Sequence, residues 1–193
     1  MALKIGILGS GHVGSALERA WTAKGHEIKF GKRGSSNAQA ALSAQVVVLT
    51  VPWPAAQEAI RDCGDLTDKI LVDCTNPLAP DLQGLTVGLT TSAAEQVAAW
   101  APGAKVVKAF NTIGAVNMGN ADFKGVPADG FYCGDDAVAK NVVAGLVRDA
   151  GMNPVDVGPL RNARLLEPLA MLWIDLAVNQ KQGPNHAFKL LRR

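Results

Sequence analysis

The sequence is short of the features that mark most specialised chains, and each absence removes a class of function. Nineteen basic residues face 17 acidic ones along the chain, so a net charge of +2 gives no field that would draw in nucleic acid or an anionic membrane. Only three cysteines occur, Cys63, Cys74 and Cys133, without C-x-x-C or metal-ligand spacing. Their odd number argues against a disulfide framework and for a reducing cytoplasm. No apolar run approaches the roughly 18 residues that a membrane span needs, and the first residues already read as a strand, so neither a span nor a signal peptide is expected. Repeats, low-complexity tracts and linkers are missing too. With 193 residues and 48% hydrophobic content, one substantial core and a single domain over residues 1–193 are expected. The sequence also lacks G-x-S-x-G, any His/Asp/Glu set at metal spacing, and a cysteine with a histidine partner. Hydrolysis and metal catalysis are therefore unsupported.

What is present begins at once. In Lys4-Ile5-Gly6-Ile7-Leu8-Gly9-Ser10-Gly11-His12-Val13-Gly14 an apolar strand runs into three glycines at the spacing G-x-G-x-x-G, and helix formers follow. Gly9 suits the tight turn, Gly11 lets a pyrophosphate approach the backbone, and Gly14 allows helix to pack on strand. The free N–H groups at the start of that helix then hold phosphate. This pattern predicts a dinucleotide site; an ordinary glycine-rich turn is the plainer alternative.

The turn after the second strand, His26 to Phe30, selects the cofactor. NAD-binding units carry an acidic residue about 20 residues beyond the glycines to take the ribose 2'-OH. Here the sequence is Gly31-Lys32-Arg33-Gly34-Ser35-Ser36, two cations and two hydroxyls without a carboxylate. Lys32, Arg33 and Ser35 suit a 2'-phosphate, so NADP(H) is expected.

Strand and helix then alternate. The run Val46-Val47-Val48-Leu49 is of the kind buried on both faces of a parallel sheet. It ends in Thr50-Val51-Pro52-Trp53, which together with Asn76 after the next strand falls at strand carboxyl ends, where open α/β sheets bind ligands. Trp53 equally suits a packing role. Ser92 and Glu95 read as a capping box, and Asp135 or Asp136 as a helix cap. A fifth strand, Ala104 to Phe110, precedes an irregular stretch from Ala115 to Asp129 that could cover a site. A last helix, Leu160 to about Gln180, sets Leu165, Leu169, Leu172 and Leu176 on one side, with Pro168 in its first turn or bending it. The fold expected is α/β, a Rossmann-type doubly wound, mainly parallel sheet with a C-terminal helical extension.

Hydride transfer between two flat cofactors needs stacking and exclusion of water but no side-chain acid, which fits the missing catalytic machinery. The chain also resembles a known family, the F420-dependent NADP oxidoreductases. The resemblance rests on the glycine motif, Gly31-Lys32-Arg33, Val48-Leu49-Thr50-Val51-Pro52-Trp53, Phe110-Asn111-Thr112-Ile113, Cys133-Gly134-Asp135-Asp136 and, above all, Gly158-Pro159-Leu160-Arg161-Asn162-Ala163-Arg164-Leu165-Leu166-Glu167. It implies hydride exchange between NADP(H) and the deazaflavin coenzyme F420. It also implies pyrophosphate at Ser10, Gly11, His12 and Val13, 2'-phosphate at Lys32 and Arg33, and Asn111, Ile113 and Ala115 beside the reacting rings. Archaeal members of the family carry histidine where this sequence has Asn111. A homodimer is implied too, to which the Leu165 to Leu176 face could contribute, ordinary packing onto the sheet being the alternative; residues 158–193 are expected to complete the acceptor site because few residues follow the Rossmann portion. The family is similar to the NADPH domain of membrane ferric reductases, which makes a flavin or ferric reductase the alternative. A non-catalytic NADP(H)-sensing module is a further one.

Overall fold

Val46 to Leu49 lie at the centre of the molecule, and their alternation shows how the whole sheet is built. Val46 and Val48 point into one apolar cluster, Val47 and Leu49 into another, and all four are fully buried. A strand with both faces covered must be apolar throughout, which is why this run is continuous. The computed structural model describes residues 2–32 and 35–193, the side chain of Ser35 apart. In chain order the elements are β1 (Lys4–Leu8), α1 (His12–Thr22), β2 (Glu27–Gly31), α2 (Ser35–Leu42), β3 (Val46–Leu49), α3 (Ala56–Arg61), β4 (Ile70–Asp73), α4 (Ala93–Trp100) and β5 (Lys105–Ala109). Then come β6 (Asp122–Phe123), β7 (Val126–Pro127), β8 (Asp129–Gly134), α5 (Ala137–Asp149), β9 (Asn153–Asp156) and α6 (Ala163–Ile174).

Seven strands form one sheet in the order β2-β1-β3-β4-β5-β8-β9. All neighbours are parallel except β5 and β8. From β1 the chain goes outward to β2 and returns past β1 to β3, so the order reverses there. A doubly wound sheet opens its ligand crevice at that reversal, beyond the carboxyl ends of the strands.

One face of the sheet is covered by α1 and α5, with Leu17, Trp21, Val143 and Val147 buried against Ile5 and Ile7. Trp21 donates its indole N–H to the Leu146 carbonyl at 2.9 Å and meets Phe110 edge-on, ring centroids 5.6 Å apart. The other face holds residues of α2, α3, α4 and α6, among them Ala40, Ile60, Val97 and Leu166. Each fully buried Val, Leu or Ile side chain among them contributes roughly 1.5–3 kcal/mol.

The helix caps follow the sequence. Ser92 accepts from the Glu95 N–H at 3.2 Å and donates to its carboxylate at 2.7 Å. Of the two aspartates offered for α5, Asp136 is the cap, accepting from Ala139 N–H at 2.7 Å, while Asp135 accepts from Leu160 N–H at 2.9 Å. Residues 115–129 differ from the expected open cover: they contain a 3-10 turn at Ala115–Asn117 and the β6–β7 hairpin, and Met118, Ala121 and Ala128 are buried in the first core. The final helix is also composite, a 3-10 turn at Leu160–Asn162, then α6, then a π-turn at Asp175–Asn179. Pro168 lies beyond its first turn, on an exposed side that spares the packed one. Leu165 and Leu172 are 68% and 50% exposed, whereas Leu169 packs against the second core, so only part of this face is covered.

Candidate functional site

The three glycines of the opening turn do three different things. Gly9 has φ +105°, a conformation that L side chains rarely adopt, and a Cβ there would sit 3.0 Å from Thr50 Oγ1. At Gly14 a Cβ would strike the Gly9 carbonyl, which holds α1 close against the turn. Gly11 is the opposite case: a Cβ on it would meet nothing within 4 Å. Its backbone faces open space and caps α1 without any side-chain hydrogen bond, and the first turn of α1 holds no acidic residue. Uncapped N–H groups, the positive end of a helix and unobstructed backbone at Gly11, His12 and Val13 are the features that an anion site requires.

The turn is held from β3. Thr50 N–H donates to the Leu8 carbonyl at 2.9 Å, and its hydroxyl lies 2.9 Å from both the Leu8 and the Gly9 carbonyl oxygens. Thr50 is thus engaged in shaping the turn. A cavity of about 610 Å³ opens on one side, lined by Gly9, Ser10, Gly11, Lys32, Asn37, Thr50, Val51 and Pro52, with Glu58 of α3 and Asp62 just after it also on its wall. A second cavity of about 320 Å³ opens on the other side, between Ser10, Gly11 and His12 and the pair Ala115 and Val116.

Lys32 is exposed at the first cavity, its N–H donating to Ser36 Oγ at 2.8 Å. Arg33 and the side chain of Ser35 lie outside the described residues. The carboxylates of Glu58 and Asp62 were not apparent from the Lys32 turn alone, because they come from 26 and 30 residues further along (58 − 32 and 62 − 32). Trp53 is stacked on Trp100 of α4, centroids 5.2 Å apart at 26°, and packs against the second core.

Asn76 and Asn111 meet beyond the ends of β4 and β5. Asn76 Nδ2 donates to the Asn111 carbonyl at 3.0 Å, and Asn111 Nδ2 donates to Asn76 Oδ1 and to the Leu166 carbonyl, both at 3.1 Å. Just before it, Phe110 takes φ +63°, a left-handed conformation that costs a bulky side chain about 1–3 kcal/mol and persists only where the surroundings enforce it. Ile113 is buried beside this pair in sequence, while Ala115 borders the smaller cavity.

Sequence reasoning missed what lies beneath. Lys108 of β5 is fully buried, with Nζ 2.9 Å from Asp73 Oδ2, 3.0 Å from Glu167 Oε1 and 2.5 Å from the Thr75 carbonyl. Burial opposes its charge, but the two carboxylates outweigh this and hold its pKa above the ordinary lysine value. A lysine in an apolar strand was the only signal available. The C-terminal segment closes over the same end: Asn117 Nδ2 donates to the Pro184 carbonyl at 2.8 Å, and Trp173 stacks on His186 with its indole N–H on the His186 carbonyl at 2.9 Å.

Comparison with known proteins matches residues 32–77 to the family described as NADP oxidoreductase coenzyme F420-dependent. The F420-dependent NADP reductase of Methanothermobacter thermautotrophicus is 29% identical, over 94% of this chain and 92% of its own. Its namesake from Methanothermobacter marburgensis is 32% identical over 77% of this chain and 70% of its own. The rat metalloreductase STEAP3 is 30% identical over 89% of this chain, which spans only 37% of it. Among solved structures, an Arthrobacter sp. FB24 protein given as a proposed F420-dependent NADP-reductase superposes with a TM-score of 0.90 at 31% identity, covering 99% of this chain and all of its own.

Proposed function

The chain belongs to the family of F420-dependent NADP reductases, and on that premise we propose that it transfers a hydride between NADP(H) and a flavin-like acceptor, the deazaflavin coenzyme F420. One observation carries the reading: the uncapped N-terminus of α1, free of acidic residues, with Gly11 presenting bare backbone to open space. There Ser10, Gly11, His12, Val13 and Gly14 bind the pyrophosphate. Lys32, with Arg33, takes the 2'-phosphate on the side of the larger cavity, which Val51 and Pro52 line. The nicotinamide half then falls on the side of Ala115, toward Asn76, Asn111 and Ile113. NADPH, when bound, supplies the hydride, and the chain's own work is to orient the rings and exclude water.

Residues 158–193 complete the acceptor side. This is supported by the Trp173 ring, which lies so close to Gly114 that a Cβ there would come within 2.6 Å of it. A homodimer is supported by the apolar stripe that α6 leaves exposed. Among the described residues no helix is long and apolar enough to cross a membrane. A cytoplasmic location fits the three free, buried cysteines. The near balance of charge fits small redox molecules as partners rather than nucleic acid.

The rat metalloreductase among the relatives favours a second reading, with a flavin or a ferric chelate as acceptor. Mixing the purified protein with NADPH and F420 is expected to bleach the visible absorbance of F420. Parallel mixtures with FMN and with a ferric chelate separate the two readings. Turnover confined to those mixtures selects the second, and turnover in none of the three overturns both.

A further inference from the structure

The smaller cavity has two unlike walls. One is a single face of α1: His12, Ser15 and Arg19 follow one another at intervals of three and four residues, which sets them within about 60° of each other round the helix. The facing wall is the apolar pair Ala115 and Val116, with Val116 65% exposed. Ser15 Oγ donates to the Ser10 carbonyl at 3.2 Å, so its lone pairs stay free for an incoming donor. Arg19 is exposed, and among the described residues its guanidinium has neither a hydrogen bond nor an ion pair. No carboxylate lines this cavity to compete for it, in contrast to the larger one with Glu58 and Asp62. Long side chains on a helix lean toward its N-terminus, so Arg19 reaches back toward Ser15 and the mouth. From His12 to Arg19 the groove runs about 10 Å along α1, seven residues at a rise of roughly 1.5 Å. An apolar wall facing an unpaired guanidinium suits an amphipathic molecule with an anionic end.

We propose that this groove holds the ribityl phosphate tail of the electron acceptor, with the Arg19 guanidinium on the phosphate, Ser15 Oγ accepting from a chain hydroxyl, and Ala115 and Val116 against the carbon chain. A planar guanidinium offers two parallel N–H groups to two phosphate oxygens, a match that an ammonium lacks. Arg19 is thereby a residue that sets specificity for acceptors carrying a phosphate. That group is shared by both flavin-like acceptors, as a diester in F420 and a monoester in FMN, and is missing from a ferric chelate. The phosphates of NADP(H) have other places, at the N–H groups of Gly11 to Val13 and on the Lys32 side of the turn. An acceptor ring stacked on the nicotinamide near Ala115 stands at the head of the groove, and its tail then follows α1 over the length of a ribityl chain. The inference rests on the hydride-transfer reading above and adds the position of the acceptor's tail.

The test pairs each acceptor with its phosphate-free fragment: F420 with the same deazaflavin ending at its ribityl chain, and FMN with riboflavin. Fluorescence titration gives each dissociation constant without turnover, and steady-state assays with NADPH give KM and kcat. In the wild-type protein the phosphate-bearing member of a pair is expected to bind about tenfold tighter, the range of a charged hydrogen bond open to solvent. Arg19→Ala should erase that preference and raise the acceptor KM by the same factor, with kcat and the dissociation constant of NADPH held. Arg19→Lys should keep part of the preference. Arg148→Ala, which removes an exposed arginine of α5 that lines neither cavity, should keep all of it. A preference for F420 over its fragment assigns the groove to the deazaflavin tail, and one for FMN over riboflavin assigns it to a flavin. Wild-type protein that binds both members of each pair equally overturns the inference and leaves hydride transfer standing. A preference that survives Arg19→Ala, or is lost equally in Arg148→Ala, removes Arg19 from the role. NADPH binding weakened by Arg19→Ala gives the residue to the nucleotide and likewise overturns the inference. A preference without turnover of any acceptor upholds the groove and overturns the hydride reading alone.

Discussion

At the residue scale, the glycines separate folding from binding. Gly11→Ala adds a methyl group where there is room and at an ordinary φ of −74°, so the melting temperature should hardly move. On the proposed placement the same methyl would meet the pyrophosphate, so affinity for NADPH should fall at least about tenfold, equivalent to about 1.4 kcal/mol. Gly14→Ala acts in the reverse order, since its methyl strikes the backbone carbonyl of Gly9 and must push α1 away from the turn. A clear drop in melting temperature, read by circular dichroism, is the outcome for that variant. These positions were legible in the sequence because the demand on each glycine is local. Lys108 was not, because its partners lie 35 residues before it and 59 after it (108 − 73 and 167 − 108), and only the fold brings them together.

At the element scale, β1 to β5 and their helices could be read because continuous apolar runs and capping residues mark them locally. The direction of β8 could not. All six of its residues are buried, the same pattern that a parallel strand shows, and orientation is fixed by how the chain returns through the β6–β7 hairpin. Hidden too was the clasp that ties the tail to this strand. Asp129 accepts from Lys189 Nζ, Leu190 N–H and Asn153 Nδ2, each at 2.7 Å. Burial raises the cost of its charge, but these donors prevail and hold the carboxyl below the ordinary aspartate value. A lowered folded pKa means stabilisation that is complete above the unfolded value of about 3.9 and lost as pH falls through the folded one. Asp129→Asn should therefore cost about 1–3 kcal/mol at neutral pH. In thermal melts, its deficit against the wild type should persist down to about pH 4 and close below it. A deficit that stays constant at lower pH would show that the carboxylate charge is not what fastens the tail.

At the scale of the whole molecule, one sheet carries two cores, and the exposed leucines of α6 stand outside both. If that stripe is the contact between two copies, Leu172→Lys should shift the protein to the monomer in size-exclusion chromatography with its melt little changed, because Leu172 is 50% exposed in a single copy. Elution unchanged by the substitution would place the contact elsewhere. The helix itself was legible from its spacing, but which side it buries was not. The leucines at 165, 169, 172 and 176 form a regular series, yet Ala163, Leu166, Glu167 and Ala170 are the residues turned inward. A carboxylate on the buried side, matched by Lys108, breaks the apolar periodicity on which such a reading depends.

The two cavities have only Ser10 and Gly11 in common among their lining residues. Substitutions at Ser15, Arg19, Ala115 or Val116 therefore reshape the smaller cavity while leaving Lys32, Asn37 and Thr50 of the larger one as they are.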